Sequence, residues 1–326
     1  MNIDLLLQNL TNPALLFFVL GLVAVQLKSD LAIPEGSSKF ISLYLLFSIG
    51  FKGGQELAHS DLGMDTLIIL LFGIFLAIVV PFYTFFILRK RLGVFNAAAI
   101  CAAYGSVSAV TFVTAVSFLE SLLIPFGGHM VAVMALMEAP AIIVGVLMLK
   151  IFKKSKKEEV GEEKMSFGSI VKHSFTNGSV VLIVGSLIIG FLASEKHAAG
   201  IAPFTTDLFK GFLAVFLLDM GITSGKKLSA FWKNGFFPFA FAVIIPFING
   251  CVVAFFSPYI SDSLGDQLLF AILAASASYI AVPAAMKLAV PKANSGLYVP
   301  MTLAITFPFN ITIGMPVYLY IIQYFV

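Results

Sequence analysis

The chain has 326 residues, 60% hydrophobic and only 11% charged, with a formal net charge of +3 and a mean hydropathy of +1.01. Soluble domains carry about 25% charged and about 45–50% apolar residues, so this composition cannot cover a water-facing surface. It excludes a cytosolic enzyme, a nucleic-acid binder and a disordered scaffold, and leaves a polytopic helical membrane protein.

A membrane crossing needs about 20 mostly apolar residues. In chain order the sequence offers ten: 12–27, 37–58, 66–88, 95–118, 127–151, 176–194, 204–226, 235–257, 267–289 and 297–323. Met1–Leu10 has no basic region and no cleavage signal, and reads as a short lead-in to the first span. Between the fifth and sixth spans, Lys153–Lys172 is dense in charge of both signs, the composition of a solvated connector. It divides the chain into an N-terminal five-helix repeat (1–152), a charged linker (153–173) and a C-terminal five-helix repeat (174–326). Cys101 and Cys251 lie in apolar stretches, which argues against a disulfide framework or a metal site.

Only Lys52, Lys196 and Lys210 follow even-numbered spans. The other basic residues, among them Arg89-Lys90-Arg91, the linker run, Lys226, Lys227 and Lys233, follow odd-numbered ones. The positive-inside rule therefore places the linker in the cytoplasm and both termini outside, across an inner or plasma membrane.

The halves resemble each other. Gly50, Gly54 and Leu57 at the end of span 2 match Gly221, Gly225 and Leu228 at the end of span 7, and both segments read as glycine bends. Ser106-Val107-Ser108 in span 4 matches Ser276-Ala277-Ser278 in span 9, and Thr11-Asn12 before span 1 matches Thr176-Asn177 before span 6. Five spans per half forces opposite orientations, the inverted repeat of secondary transporters. The expected fold is an all-α membrane protein of ten transmembrane helices, with discontinuous helices crossing at the midplane.

In such carriers the substrate meets backbone freed where helices break. Ala103–Ala109 and Ala274–Pro283 are runs of small and hydroxyl residues in mid-span, and Pro283 disturbs any helix it sits in. The expected substrate-binding set is Gly105, Ser106, Val107 and Ser108 with Ser276, Ala277, Ser278 and Tyr279. Close helix packing is the other reading of such small-residue runs. Ionisable groups within spans cost roughly 2.5–3.5 kcal/mol on insertion scales, which singles out Glu138 before Pro140, where the proline is expected to break span 5 and free backbone beside the carboxylate, and Asp219 before Gly221. Thr302, Thr306 and Asn310, around the break expected at Pro308, offer neutral oxygens to a cation. With Ser106, Ser108 and Glu138 they form the expected sodium set. Lys52 and Lys287, near span ends, read as snorkelling lysines. His59, His129, His173 and His197 share no metal-ligand spacing.

Leu31-Ala32-Ile33-Pro34-Glu35, Ile49–Gly54, Gly105–Ser108, Phe118–Ser121, Glu138–Ala141, Ser276–Pro283 and Val290–Asn294, followed by Tyr298 and Pro308, resemble the sodium-dependent bicarbonate transporter family over nearly the whole chain. The resemblance implies core and gate domains, commonly a homotrimer, and sodium-coupled uptake of bicarbonate or a similar small anion at two crossed, broken helices. Sodium is then the coupling ion, no other cofactor is implied, and some members are inhibited by a PII-like regulator at the cytoplasmic face. This chain departs from the family pattern at Tyr279, where an acidic residue follows the serines. It departs also at Ala281 and Val282, which replace Ser and Gly, at Glu138 in place of Asp, and at Lys52 in place of a small polar residue. A cation/proton antiporter of the same architecture and a transport-deficient sensor are the competing readings. An enzyme is disfavoured because no HExxH or GxSxG motif and no paired acidic motif is present in the spans.

Overall fold

A computed structural model describes residues 11–59, 63–153, 168–169, 172 and 175–325. The lead-in Met1–Leu10, His173 and most of the charged linker lie outside the described residues. Among the described residues the chain is helical and contains no strand. Among the described residues, five helical stretches are long and apolar enough to cross a membrane: Met64–Ser121, His129–Phe152, Pro203–Leu228, Phe236–Tyr259 and Ser295–Tyr324.

The chain opens with α1 (Pro13–Gln26), whose amino end is capped by Asn12 accepting from the Ala14 amide. Asn177 caps α6 (Gly178–Leu192) in the same way, accepting from Ser179, so the two asparagines expected to correspond do the same local work. Between them lie α2 (Glu35–Ala58), α3 (Met64–Gly105), α4 (Ala109–Ser121) and α5 (His129–Phe152). α2 has the length of a crossing, but Glu35, Lys39, Lys52 and Glu56 lower its hydropathy. After α6 come α7 (Phe209–Phe231), α8 (Phe236–Phe256), α9 (Leu264–Ala275), α10 (Ala281–Ala289) and the helical run α11 (Ser295–Tyr324).

α3 is too long for one crossing: its 42 residues would make a rod of about 63 Å, against a hydrocarbon layer of about 30 Å. It is interrupted at Gly93, with φ 76° and ψ 165°, a backbone conformation open to glycine because it has no Cβ. The two parts double back, since the Pro81 ring occupies the place a Cβ on Gly105 would take; on a straight helix those residues would stand about 36 Å apart.

Tertiary pairing is reciprocal. α1 packs chiefly along α7, and α2 along α6, while α3 packs along α5 and α8 along α9 and α11. The glycines expected to bend spans 2 and 7 do not do so: α2 and α7 run through them unbroken. They serve close helix approach instead. A Cβ on Gly221 would meet the Phe18 carbonyl of α1, one on Gly54 the Leu187 carbonyl of α6, and one on Gly190 the Phe51 carbonyl of α2. Close packing is what holds helices together where lipid is as apolar as their side chains. The outer faces carry Leu16, Phe75, Phe82 and Ile248, each about half exposed, an apolar surface suited to lipid.

Lys52 also departs from expectation. Its ammonium pairs with the Glu120 carboxylate of α4 at 2.8 Å, tying α2 to α4, where a snorkelling residue would point into solvent. Because the α2–α6 contact is backbone on backbone, Gly54→Leu is expected to destabilise the protein by about 1–3 kcal/mol, the range for overpacking. Gly36→Ala, where a Cβ meets nothing within 4 Å, is expected to leave stability unchanged. Thermal unfolding of the two variants in detergent checks the contrast.

Candidate functional site

Two helix breaks meet. α3 ends at Gly105 and α4 begins at Ala109; α9 ends at Ala275 and α10 begins at Ala281. The first residues past each end adopt nearly the same extended backbone, Ser106 with φ −87° and ψ 171°, Ser276 with φ −79° and ψ 169°. Serine favours such ends because its hydroxyl competes for nearby backbone groups. The two breaks then bond to each other. The Ser278 amide donates to the Ala103 carbonyl at 2.8 Å, and the Ser108 amide donates to Ser276 Oγ at 3.2 Å. Only small side chains allow this approach.

The new helix starts are capped from within the breaks. Ser108 Oγ accepts from the Thr111 amide at 3.1 Å, and Ser278 Oγ accepts from the Val282 amide at 3.3 Å. The severed carbonyl end of α9 is bound from outside: Asn310 Nδ2 donates to Ala275 O at 2.7 Å, and Asn249 Nδ2 to Ala274 O at 3.4 Å. Thr306 donates to the Ala242 carbonyl at 2.6 Å and lies 2.8 Å from the Tyr104 hydroxyl. Thr302 turns back onto its own helix, to Tyr298 O at 3.1 Å.

A cavity of about 30 Å³ opens at the crossing, lined by Val107, Ser108, Glu138, Ser278 and Tyr279 together with Ser42 of α2 and Ser179 of α6. It adjoins a larger cavity of about 560 Å³, which shares Ser42, Ser179, Tyr279 and Ile280 and reaches Glu35, Ser38, Lys39, Asp219 and Lys226. Asp219 accepts a hydrogen bond from Ser38 and is buried; no bend brings it to solvent.

The residues singled out from sequence therefore divide. Val107, Ser108, Ser278, Tyr279 and Glu138 surround one space. Gly105, Ser106, Ser276 and Ala277 are buried and not among its lining residues. Thr302, Thr306 and Asn310 do not line it either; the donor groups of Thr306 and Asn310 hold α11 against α8 and α9. Of the three expected proline breaks, the one before Pro283 is present and the other two are not. α5 continues through Pro140, and Pro283 falls in the first turn of α10, where a missing amide hydrogen is harmless. Around Pro308 the helix widens into two π-helical stretches, Met301–Thr306 and Asn310–Gly314, and does not stop.

Ser42 and Ser179 are the polar cavity residues that sequence reasoning missed. The available signal was Ser38 and Ser42, one turn apart on α2 and so on one face. The pairing of His129 with Asp266 at 2.9 Å was missed as well. Asp266 also accepts from the Gly127 amide at 2.7 Å, joining the amino ends of α5 and α9. No metal-binding group of three or more His, Cys, Asp or Glu is found among the described residues.

Chemically, the cavity combines opposite attractions. The amino ends of α4 and α10 begin at its wall, each the positive end of a helix dipole, and Glu138 supplies a carboxylate with no hydrogen-bond partner among the described residues. The family model for the Na+-dependent bicarbonate transporter superfamily matches residues 13–323, nearly the whole chain. The chain belongs to this superfamily. A search of curated proteins returned no match. Membership makes this bicarbonate-transporter relative a membrane protein of a sodium-dependent transport family.

In this superfamily member, Asn310 has a structural task that can be measured. Asn310→Leu leaves the buried Ala275 carbonyl unpaired and is expected to cost about 1–3 kcal/mol. Thermal unfolding of the detergent-solubilised variant should show a lowered midpoint.

Proposed function

We propose that the protein is a secondary active transporter that couples sodium entry to uptake of bicarbonate or a similar small anion by alternating access. One observation carries the reading: a single small cavity at the helix crossing holds four serines, two helix amino ends and a carboxylate with no hydrogen-bond partner among the described residues. A cation at Glu138 and an anion at the dipole ends would lie close together. Burying either ion alone carries a large desolvation penalty that mutual attraction offsets only when both are present. Coupling follows from that penalty.

A ten-span inverted repeat is supported by the reciprocal pairing of α1 with α7 and α2 with α6, by the matched backbone at Ser106 and Ser276, and by the matched Asn12 and Asn177 caps. In this reading α1, α2, α6 and α7 form the gate, and the remaining helices the core that slides or rocks against it. The larger cavity runs toward Lys39 and Lys226, residues the charge rule assigns to the cytoplasm, which supports an inward-open shape. Sodium would bind first, with Glu138 as its anionic ligand; Ser108 and Ser278 would then orient the anion's oxygens.

Purified protein in proteoliposomes should take up radiolabelled bicarbonate faster under an inward sodium gradient. Ser108→Leu and Ser278→Leu are expected to reduce that uptake at least tenfold while remaining monodisperse, and Glu138→Gln to remove its sodium stimulation. Uptake indifferent to sodium in the unaltered protein, or normal uptake by Ser108→Leu, overturns the reading.

A further inference from the structure

The small cavity has room for about one or two waters, less than a four-heavy-atom anion with its cation needs. The space beside it is about 560 Å³. Four residues line both: Ser42 and Ser179 are small, Ile280 is aliphatic, and Tyr279 carries the only ring among them.

Tyr279 stands in the unwound segment between α9 and α10, so its backbone belongs to neither helix. Its ring meets Phe307 of α11 edge-on, with centroids 5.7 Å apart. The residue is 8% exposed; its hydroxyl makes no hydrogen bond of 3.5 Å or less among the described residues, with the Ser108 side chain as a longer-range partner. Burying a hydroxyl without a partner is unfavourable. Shape more than polar satisfaction therefore holds the ring where it is, and an oxygen entering the small cavity would supply a close partner.

We propose that Tyr279 is the size-selecting door between the crossing cavity and the larger cavity. Swung aside, the ring merges the two spaces. Swung back part-way over an oxyanion that occupies the merged space, it closes the site and donates its hydroxyl to one of that anion's oxygens. The door admits planar oxyanions of about four heavy atoms and excludes longer carboxylates such as pyruvate. This inference rests on the crossing cavity being the transport site, so one of its two tests does not depend on transport.

The first test measures access. In a background carrying Cys101→Ala and Cys251→Ala, Ser108→Cys places a thiol on the cavity wall, to be titrated with a bulky cationic methanethiosulfonate. Adding Tyr279→Ser is expected to raise the labelling rate at least tenfold, and adding Tyr279→Phe to leave it slow. Tyr279→Leu replaces the serine variant if that variant is not monodisperse. Equal labelling rates with and without the ring overturn the door, whatever the protein transports.

The second test measures selection. Sodium-driven uptake of radiolabelled pyruvate should be absent with Tyr279 or Phe at this position and appear in Tyr279→Ser. Tyr279→Phe should raise the apparent KM for bicarbonate about tenfold, the loss expected of one hydrogen bond to a charged ligand. Continued exclusion of pyruvate by a Tyr279→Ser protein that still transports bicarbonate overturns the proposal. Failure of the unaltered protein to move bicarbonate would count against the transport reading, with the labelling rates still deciding the door.

Discussion

Backbone amides and carbonyls released from a helix inside an apolar medium have no water to bond, and most of this structure can be understood as the answer to that constraint at one place. Each break supplies part of what the other lacks. Ala103 O takes the Ser278 amide, Ser276 Oγ takes the Ser108 amide, and Asn310 takes the severed Ala275 carbonyl. The crossing is thus a joint between the two halves of the chain before it is a binding site. Among the described residues the Glu138 carboxylate and the Ser106 and Tyr279 hydroxyls there are left without a close protein partner, and of these Glu138 and Tyr279 line the cavity.

The same constraint explains the division of labour among helices. α1, α2, α6 and α7 contain no break and meet in pairs through glycines, with backbone close to backbone. Such surfaces are held by shape, with the Lys52–Glu120 pair as one polar tie to the broken-helix side. Ser42 and Ser179 come from these intact helices, while Ser108, Ser278 and Glu138 come from the others. The small cavity lies where the two groups face each other, so a relative displacement of the groups would change its size and access. That is the mechanical requirement of the proposed carrier, and Tyr279 lines both spaces at that place.

Much of this was legible in the residues. Apolar runs located nearly every helix, because a crossing demands length and low charge. The serine runs located both breaks, because small hydroxyl residues permit an interruption and then cap the next helix. Proline misled at Pro140 and Pro308, since it removes one donor without requiring the chain to stop, and each site found a local solution, a continued helix and a pair of π-helical stretches; Pro283 sits in the first turn of the helix after the expected break. The glycines of α2 and α7 were read as bends because lost side chains and close contacts leave the same trace in a sequence.

Residue order alone establishes the medium, the helical class, the place of the two breaks and membership of a sodium- and bicarbonate-linked family. Those features depend on composition and short-range order, which one chain carries in full. Which polar groups share a cavity was settled in three dimensions: the packed helices brought Ser42 and Ser179 to Glu138, turned the donors of Thr306 and Asn310 to carbonyl ends, and set Tyr279 between two spaces. The reason is geometric. A hydroxyl or amide in an apolar helix must find a partner, and whether that partner is a neighbouring carbonyl or an open space depends on helices far apart in sequence.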